Sequence, residues 1–154
     1  MKSKFQGVVL FPLSKFTDER GWLMELFRND WLEAKNFPAM SYISETLPGV
    51  VRGPHEHRDQ TDYFAFIGPG DFKLYLWENR DIVHKYEKET FVLGESNPCA
   101  IIVPPGVVHA YKNISDTPGW VFNAPNQLYA GPSKKYPVDE IRHEDLVDIK
   151  FHIN

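Results

Sequence analysis

The stretch Gly49-Val-Val-Arg-Gly-Pro-His-Glu-His57 sets two imidazoles two residues apart. Further along, Pro104-Pro-Gly-Val-Val-His-Ala-Tyr-Lys-Asn113 delivers a third, His109, after a Pro-x-Gly turn. On an extended strand, residues i and i+2 face the same side, so His55 and His57 point into one space. Two strand-and-turn units of this kind converge three imidazoles on one polar pocket. Adjacent same-face imidazoles sent inward carry a desolvation cost unless each finds a partner. Two chemistries meet that demand. With the carboxylate of Asp62, a His55–His57–Asp62–His109 set suits Zn, Fe, Ni or Mn with positions left open for substrate. Alternatively, an imidazole titrating near neutral pH serves as a general base. His84, His143 and His152 stand in charged or terminal contexts and read as surface residues.

Arg52 lies inside an apolar strand one residue before Gly53, where an unpaired guanidinium is costly. Its planar fork suits phosphate or carboxylate. Arg20 occupies the charged turn Asp18-Glu-Arg-Gly-Trp22. Both are candidate phosphate contacts, set against ion pairing with Glu25 or Glu45. Tyr129 precedes a Gly-Pro loop and reads, by its own surroundings, as an ordinary rim or core aromatic.

Short apolar runs punctuated by Gly and Pro must position these groups, the spacing of a sandwich or barrel. Strands are expected at Gln6–Phe11, Trp22–Phe27, Met40–Thr46, Val50–Arg52 and Asp62–Ile67. Others are expected at Phe72–Glu78, Glu89–Leu93, Ala100–Val103, Val108–Asn113 and Trp120–Ala124. Alternation puts Phe72, Leu74 and Leu76 on one face, and Asp62, Phe64 and Phe66 on one face of their own strand. A helix is expected at Asp30–Asn36, capped by Asp30 and stopped by Pro38, with a further helical turn near the C-terminus. The fold class is all-β, a double-sheet jelly roll with short peripheral helices. The 154 residues support one core, read as a single domain over 1–154. A net charge of −4 argues against a nucleic-acid footprint, and the 17 Lys and Arg residues form no membrane-binding stripe. Cys99 is the single cysteine, in keeping with a reducing, cytoplasmic setting. The early apolar run Val8–Leu13 is too short to span a membrane.

The paired histidine motifs resemble those of the cupin superfamily. Asp18-Glu-Arg-Gly21, Gly49-Val-Val-Arg-Gly53 with His55, Pro104-x-Gly-x-x-His109, Tyr129 and Ile141-Arg-His-Glu-Asp145, in that order, resemble the dTDP-4-dehydrorhamnose 3,5-epimerases. The resemblance implies a cupin-type barrel and a cofactor-free reaction on a dTDP-linked 4-keto sugar in surface polysaccharide synthesis. His55 is then the base, Asp145 the carboxylate that orients it, and Tyr129 the acid on the other face of the sugar. Arg20, Glu25 and Arg52 are nucleotide and pyrophosphate contacts, and His109 is the pocket histidine after the turn. A homodimer that covers or exchanges the N-terminal strand is also implied. The chain departs from the pattern at Thr61-Asp62-Tyr63, where the family carries an enolate-stabilising Lys. It also departs at His57, commonly Gln, and at Ala110, usually Gly. The segment between Tyr129 and Ile141 is longer than usual, which makes Tyr136 the substitute acid. The departures at His57 and Asp62 keep a metal-dependent cupin enzyme open as the alternative, alongside a non-catalytic sugar-nucleotide-binding cupin.

Overall fold

The computed structural model describes residues 1–146 and 150–153. The strands, in chain order, are β1 (Val9–Pro12), β2 (Lys15–Asp18), β3 (Gly21–Met24), β4 (Tyr42–Thr46), β5 (Val51–Glu56) and β6 (Asp62–Phe66). They continue with β7 (Asp71–Glu78), β8 (Lys88–Gly94), β9 (Cys99–Val103), β10 (Val107–Asn113), β11 (Gly119–Asn123) and β12 (Ile141–Arg142). Single turns of 3-10 helix lie at Ala34–Asn36, Pro132–Lys134 and His143–Asp145. Two five-stranded antiparallel sheets, ordered β1-β9-β6-β11-β4 and β12-β5-β10-β7-β8, make the barrel, and β2 and β3 form a separate hairpin.

Period-two alternation builds the core. Phe64 and Phe66 of β6 meet Phe72, Leu74 and Leu76 of β7, Ile101 of β9 and Tyr111 of β10 between the sheets. Tyr63 and Ala65, one residue out of phase, point outward into a second cluster with Ala100, Ile102 and Leu32. The rings of Phe66 and Phe72 meet Tyr111 edge-on at 5.5 and 5.7 Å, an arrangement that stabilises beyond the area it buries. This is the all-β jelly roll that the strand pattern predicts.

At one end the core gives way to polar groups. There β5 and β10 pair with His109 opposite His55 and Tyr111 opposite Arg52, and the register shifts between them. Gly53 makes the approach feasible. Its φ is +92°, and a Cβ there would lie 2.7 Å from the His109 carbonyl oxygen. The Gly106 N–H donates to the His57 carbonyl at 2.9 Å, so the Pro-x-Gly turn is fastened directly to the first histidine motif.

The helix expected over Asp30–Asn36 is a correction, since only Ala34–Asn36 forms a 3-10 turn. The Asp30 carboxylate accepts two hydrogen bonds from Arg28 at 2.8 Å instead of capping a helix. The first strand begins at Val9 rather than Gln6. His143, read as a surface residue, is buried against Glu56 and Phe151.

Candidate active site

A cavity of about 980 Å³ opens between the sheets at this polar end, within the size range of small-ligand pockets. His55, His57, Asp62 and His109 line its floor. Arg52, Tyr111 and Ser44 line one side, and residues 125–132 and 136–140 with Arg142 and Glu144 form the rim. The two motifs therefore converge as their spacing demands. The rings of His57 and His109 stack at 5.8 Å, and His55 meets His109 edge-on at 6.4 Å.

His55 is oriented by carboxylates. Its Nε2 lies 2.5 Å from Glu144 Oε1, and its Nδ1 lies 3.5 Å from Glu140 Oε1. β12 brings these acids to it, with Arg142 directly opposite His55 in the sheet. The Arg142 guanidinium, 3.2 Å from Glu144 and 3.9 Å from Glu140, offsets their mutual repulsion. Carboxylates facing both ring nitrogens hold this imidazole in one orientation.

His57, Asp62 and His109 form a second group. Asp62 Oδ2 lies 3.0 Å from His57 Nε2 and 3.3 Å from His109 Nε2, yet it is buried without a hydrogen bond to either. Its other oxygen accepts from the Gln60 amide at 2.8 Å. Burial opposes charge on His57, but the adjacent Asp62 carboxylate, with a hydrogen bond from Nδ1 to the Asp139 carbonyl, lifts its pKa to about 9. Burial dominates at His109 and pushes it down to about 4, which the Asp62 charge offsets only in part. Burial alone would raise Asp62, but the two histidines and Gln60 hold its carboxyl below the ordinary carboxylate range. The pair His57–Asp62 is thus an ion pair at neutral pH, and His109 stands beside it uncharged.

Arg52 reaches the cavity with its guanidinium braced by Thr46 Oγ1 at 2.9 Å and the Glu45 carbonyl at 2.6 Å. The family of dTDP-4-dehydrorhamnose 3,5-epimerases matches residues 2–139, most of the chain and all of the cavity floor. The chain belongs to that family. Its members are nucleotide-sugar epimerases and isomerases, and this chain is an enzyme of that class. The probable low-salt glycan biosynthesis epimerase Agl13 of Haloferax volcanii is 41% identical over 114 residues, covering 73% of this chain and 72% of that protein. The spore coat polysaccharide biosynthesis protein SpsL of Bacillus subtilis is 34% identical over 113 residues, covering 73% and 74%. Among solved structures, NovW, a 4-keto-6-deoxy sugar epimerase of Streptomyces spheroides, superposes with a TM-score of 0.77. At 20% identity it covers 99% of this chain and 76% of its own, a likeness that shows the shared fold.

The expected site residues fall into three groups. His55, Arg52, His109 and Tyr129 line the cavity, as does Tyr136, whose ring packs over Gly131. Arg20 and Glu25 do not line it. Arg20 bonds Asp18 within its own hairpin, and Glu25 pairs with Arg28. Asp145 requires a correction. Its side chain is exposed and pairs with Arg142 at 3.2 Å, while the neighbouring Glu144 meets His55. The turn at 143–145 places successive side chains on different sides, so an offset of one residue exchanges an inward acid for an outward one. Of the four-residue metal set, three members lie together. His55 is engaged by Glu144, and the group whose ligand atoms lie within 4.8 Å of one another is His57, Asp62 and His109. Glu140, Glu144 and Arg142 were missed as site residues. Their signal was the dense charge of 139–145, which marks an acidic turn but not which acid faces inward.

Proposed function

We propose that this enzyme epimerises a dTDP-linked 4-keto-6-deoxyhexose for surface polysaccharide synthesis, with His55 as the base. The supporting observation is the His55 imidazole, oriented at 2.5 Å by Glu144 and facing a sugar-nucleotide-sized cavity. A C4 ketone acidifies the protons at C3 and C5; His55 removes one, and the enolate is reprotonated from the other face of the ring. Tyr129, on the rim segment, is the acid, with Tyr136 as its substitute. Glu144 takes the orienting role expected of Asp145. Arg52, which lines the cavity, holds the pyrophosphate. The family's Lys is replaced by the charge-balanced His57–Asp62 pair and neutral His109, which leave no net anion at the floor to repel an enolate. The reaction needs no cofactor. Solvent deuterium wash-in at C3 or C5, read by NMR, tests this reading. Exchange that His55→Ala abolishes, with dTDP still bound, supports it. Absence of exchange with every dTDP-4-keto sugar ends it.

The polysaccharide role rests on the relatives, a glycan biosynthesis epimerase and a spore coat polysaccharide biosynthesis protein. A cytoplasmic location rests on Cys99 being unpaired and buried; among the described residues no helix is long and apolar enough to cross a membrane. A homodimer is supported by the hairpin β2–β3, an isolated ribbon that exposes Phe16, Trp22 and Leu23. Two strands alone are marginal in water, so a second copy that covers them and receives Arg20 and Glu25 near its own cavity satisfies both facts. A monomer in light scattering at micromolar concentration would refute the dimer.

One observation favours a second reading. Asp62 Oδ2 is buried without a hydrogen bond between two imidazole nitrogens, a donor set that fits a divalent cation. His57, Asp62 and His109 would hold the ion, which would supply Lewis-acid stabilisation at the cavity floor. Stoichiometric metal in protein purified without a histidine tag, lost in Asp62→Ala, supports this reading. Full activity in metal-free protein refutes it.

A further inference from the structure

The side of β5 turned away from the cavity carries a polar cluster that the proposed reaction does not use. Glu56 alternates with His55 and His57 along the chain, so its carboxylate points behind the strand, where it is only 6% exposed. There His143 Nε2 lies 2.9 Å from Glu56 Oε1, and the Asn79 amide reaches both carboxylate oxygens at 3.1 Å. The Phe151 ring closes over His143 edge-on at 4.6 Å. A buried acid–imidazole pair is a poor source of stability, because desolvating the two groups offsets most of their attraction. What distinguishes this pair is its place in the chain.

His143 directly precedes Glu144, and both belong to the single 3-10 turn that follows β12. The turn straddles the end of β5. His143 passes behind the strand to Glu56, and Glu144 passes in front of it to His55. β12 contributes only two residues of sheet pairing, Ile141 with Glu56 and Arg142 with His55, too little to fix a turn by itself. Among the described residues, the cavity-side partners of Glu144 are His55 and the half-exposed Arg142. The buried contact of this turn is on its far side.

We propose that the Glu56–His143 pair is a positioning device: by anchoring the 143–145 turn behind β5, it sets Glu144 Oε1 against His55 Nε2. Glu56 and His143 are positioning residues, since neither lines the cavity. His143 and Glu144 lie beyond residues 2–139, the span that matches the family. The inference rests on His55 acting as the base.

The test uses the full chain with 15N-labelled histidine, following the His55 ring nitrogens by NMR, assigned with His55→Ala, alongside wash-in kinetics. The double variant Glu56→Leu/His143→Leu removes both polar groups together, so that neither is left buried alone. Expected is loss of the carboxylate-bonded Nε2–H signal of His55. The kcat should fall roughly ten- to a hundredfold with KM nearly constant, as for a misplaced group rather than a lost binding contact. His143→Gln, whose amide still reaches Glu56, should restore the signal and most of the rate. Should the double variant not fold, Asn79→Ala removes the amide that holds Glu56 and should move the same signal in the same direction. An unchanged His55 signal in either folded variant overturns the proposal, as does a loss of thermal stability with kcat intact. If the wild type shows no wash-in while the His55 signal still responds, the epimerase reading fails and the positioning stands.

Discussion

Gly53→Ala, compared with Gly49→Ala, tests whether the close approach of β5 to β10 sets the catalytic geometry. Both glycines have positive φ, +92° and +73°, so each alanine incurs the left-handed penalty of about 1–2 kcal/mol. They differ in what the new methyl meets. At Gly49 nothing lies within 4 Å. At Gly53 the Cβ would lie 2.7 Å from the His109 carbonyl oxygen, 3.0 Å from the His55 nitrogen and 3.2 Å from the Ala110 Cα. All three are backbone atoms and cannot rotate aside, so the strands must separate. Overpacking of that kind costs about 1–3 kcal/mol more. Expected losses are therefore about 1–2 kcal/mol for Gly49→Ala and about 2–5 kcal/mol for Gly53→Ala, from urea unfolding followed by tryptophan fluorescence. The separation falls on the His55–His109 pair, so deuterium wash-in should fall in Gly53→Ala and hold in Gly49→Ala. Equal losses in the two variants, or full turnover in a folded Gly53→Ala, would refute the reasoning.

The remaining expectations concern charge and proton transfer. The His57 pKa, raised from 6.5 to about 9, gives stability that is fully present below pH 6.5 and lost as pH rises through 9, at most about 3 kcal/mol. Asp62→Asn should flatten that alkaline decline in pH-dependent urea midpoints; an unaltered decline would remove Asp62 as its cause. Arg52→Ala should weaken dTDP binding about ten- to a hundredfold in calorimetry, the worth of a charge-assisted pair, and Arg52→Lys should recover only part of it. Tyr129→Phe should cut turnover about a hundredfold or more, with Tyr136→Phe nearly silent. The reverse pattern moves the acid to Tyr136, and two silent variants rule out both.

The floor of the site was legible because strand alternation is a strict rule. Residues two apart share a face, so His55 with His57, and Phe64 with Phe66, could be assigned before any coordinates. The same rule sent Glu56 to the other side, but its partner there, His143, comes from distant chain and left no periodic trace. Asp145 came from the family resemblance, and the sequence of a 3-10 turn could not check it: three consecutive polar residues look alike until the turn's orientation is known. The helix at Asp30 failed for a similar reason. Its capping carboxylate had a competing partner two residues away in Arg28, and local propensity does not decide between a cap and an ion pair. Arg20 lies in the turn of the β2–β3 ribbon and Glu25 just past its end, and neither lines the cavity.

Asp139 closes the C-terminal segment onto the β5–β6 loop. Its carboxylate accepts from the N–H groups of Arg58, Asp59 and Gln60 at 2.8–2.9 Å, and although burial opposes ionisation, these donors hold its carboxyl below the usual range. Such a clasp isolates whatever precedes it. A change between Leu128 and Val138 is then felt at the cavity mouth, where Tyr129 and Tyr136 stand, while the turn that carries Glu144 keeps its own tether to Glu56, so mouth and turn are fastened to the barrel independently.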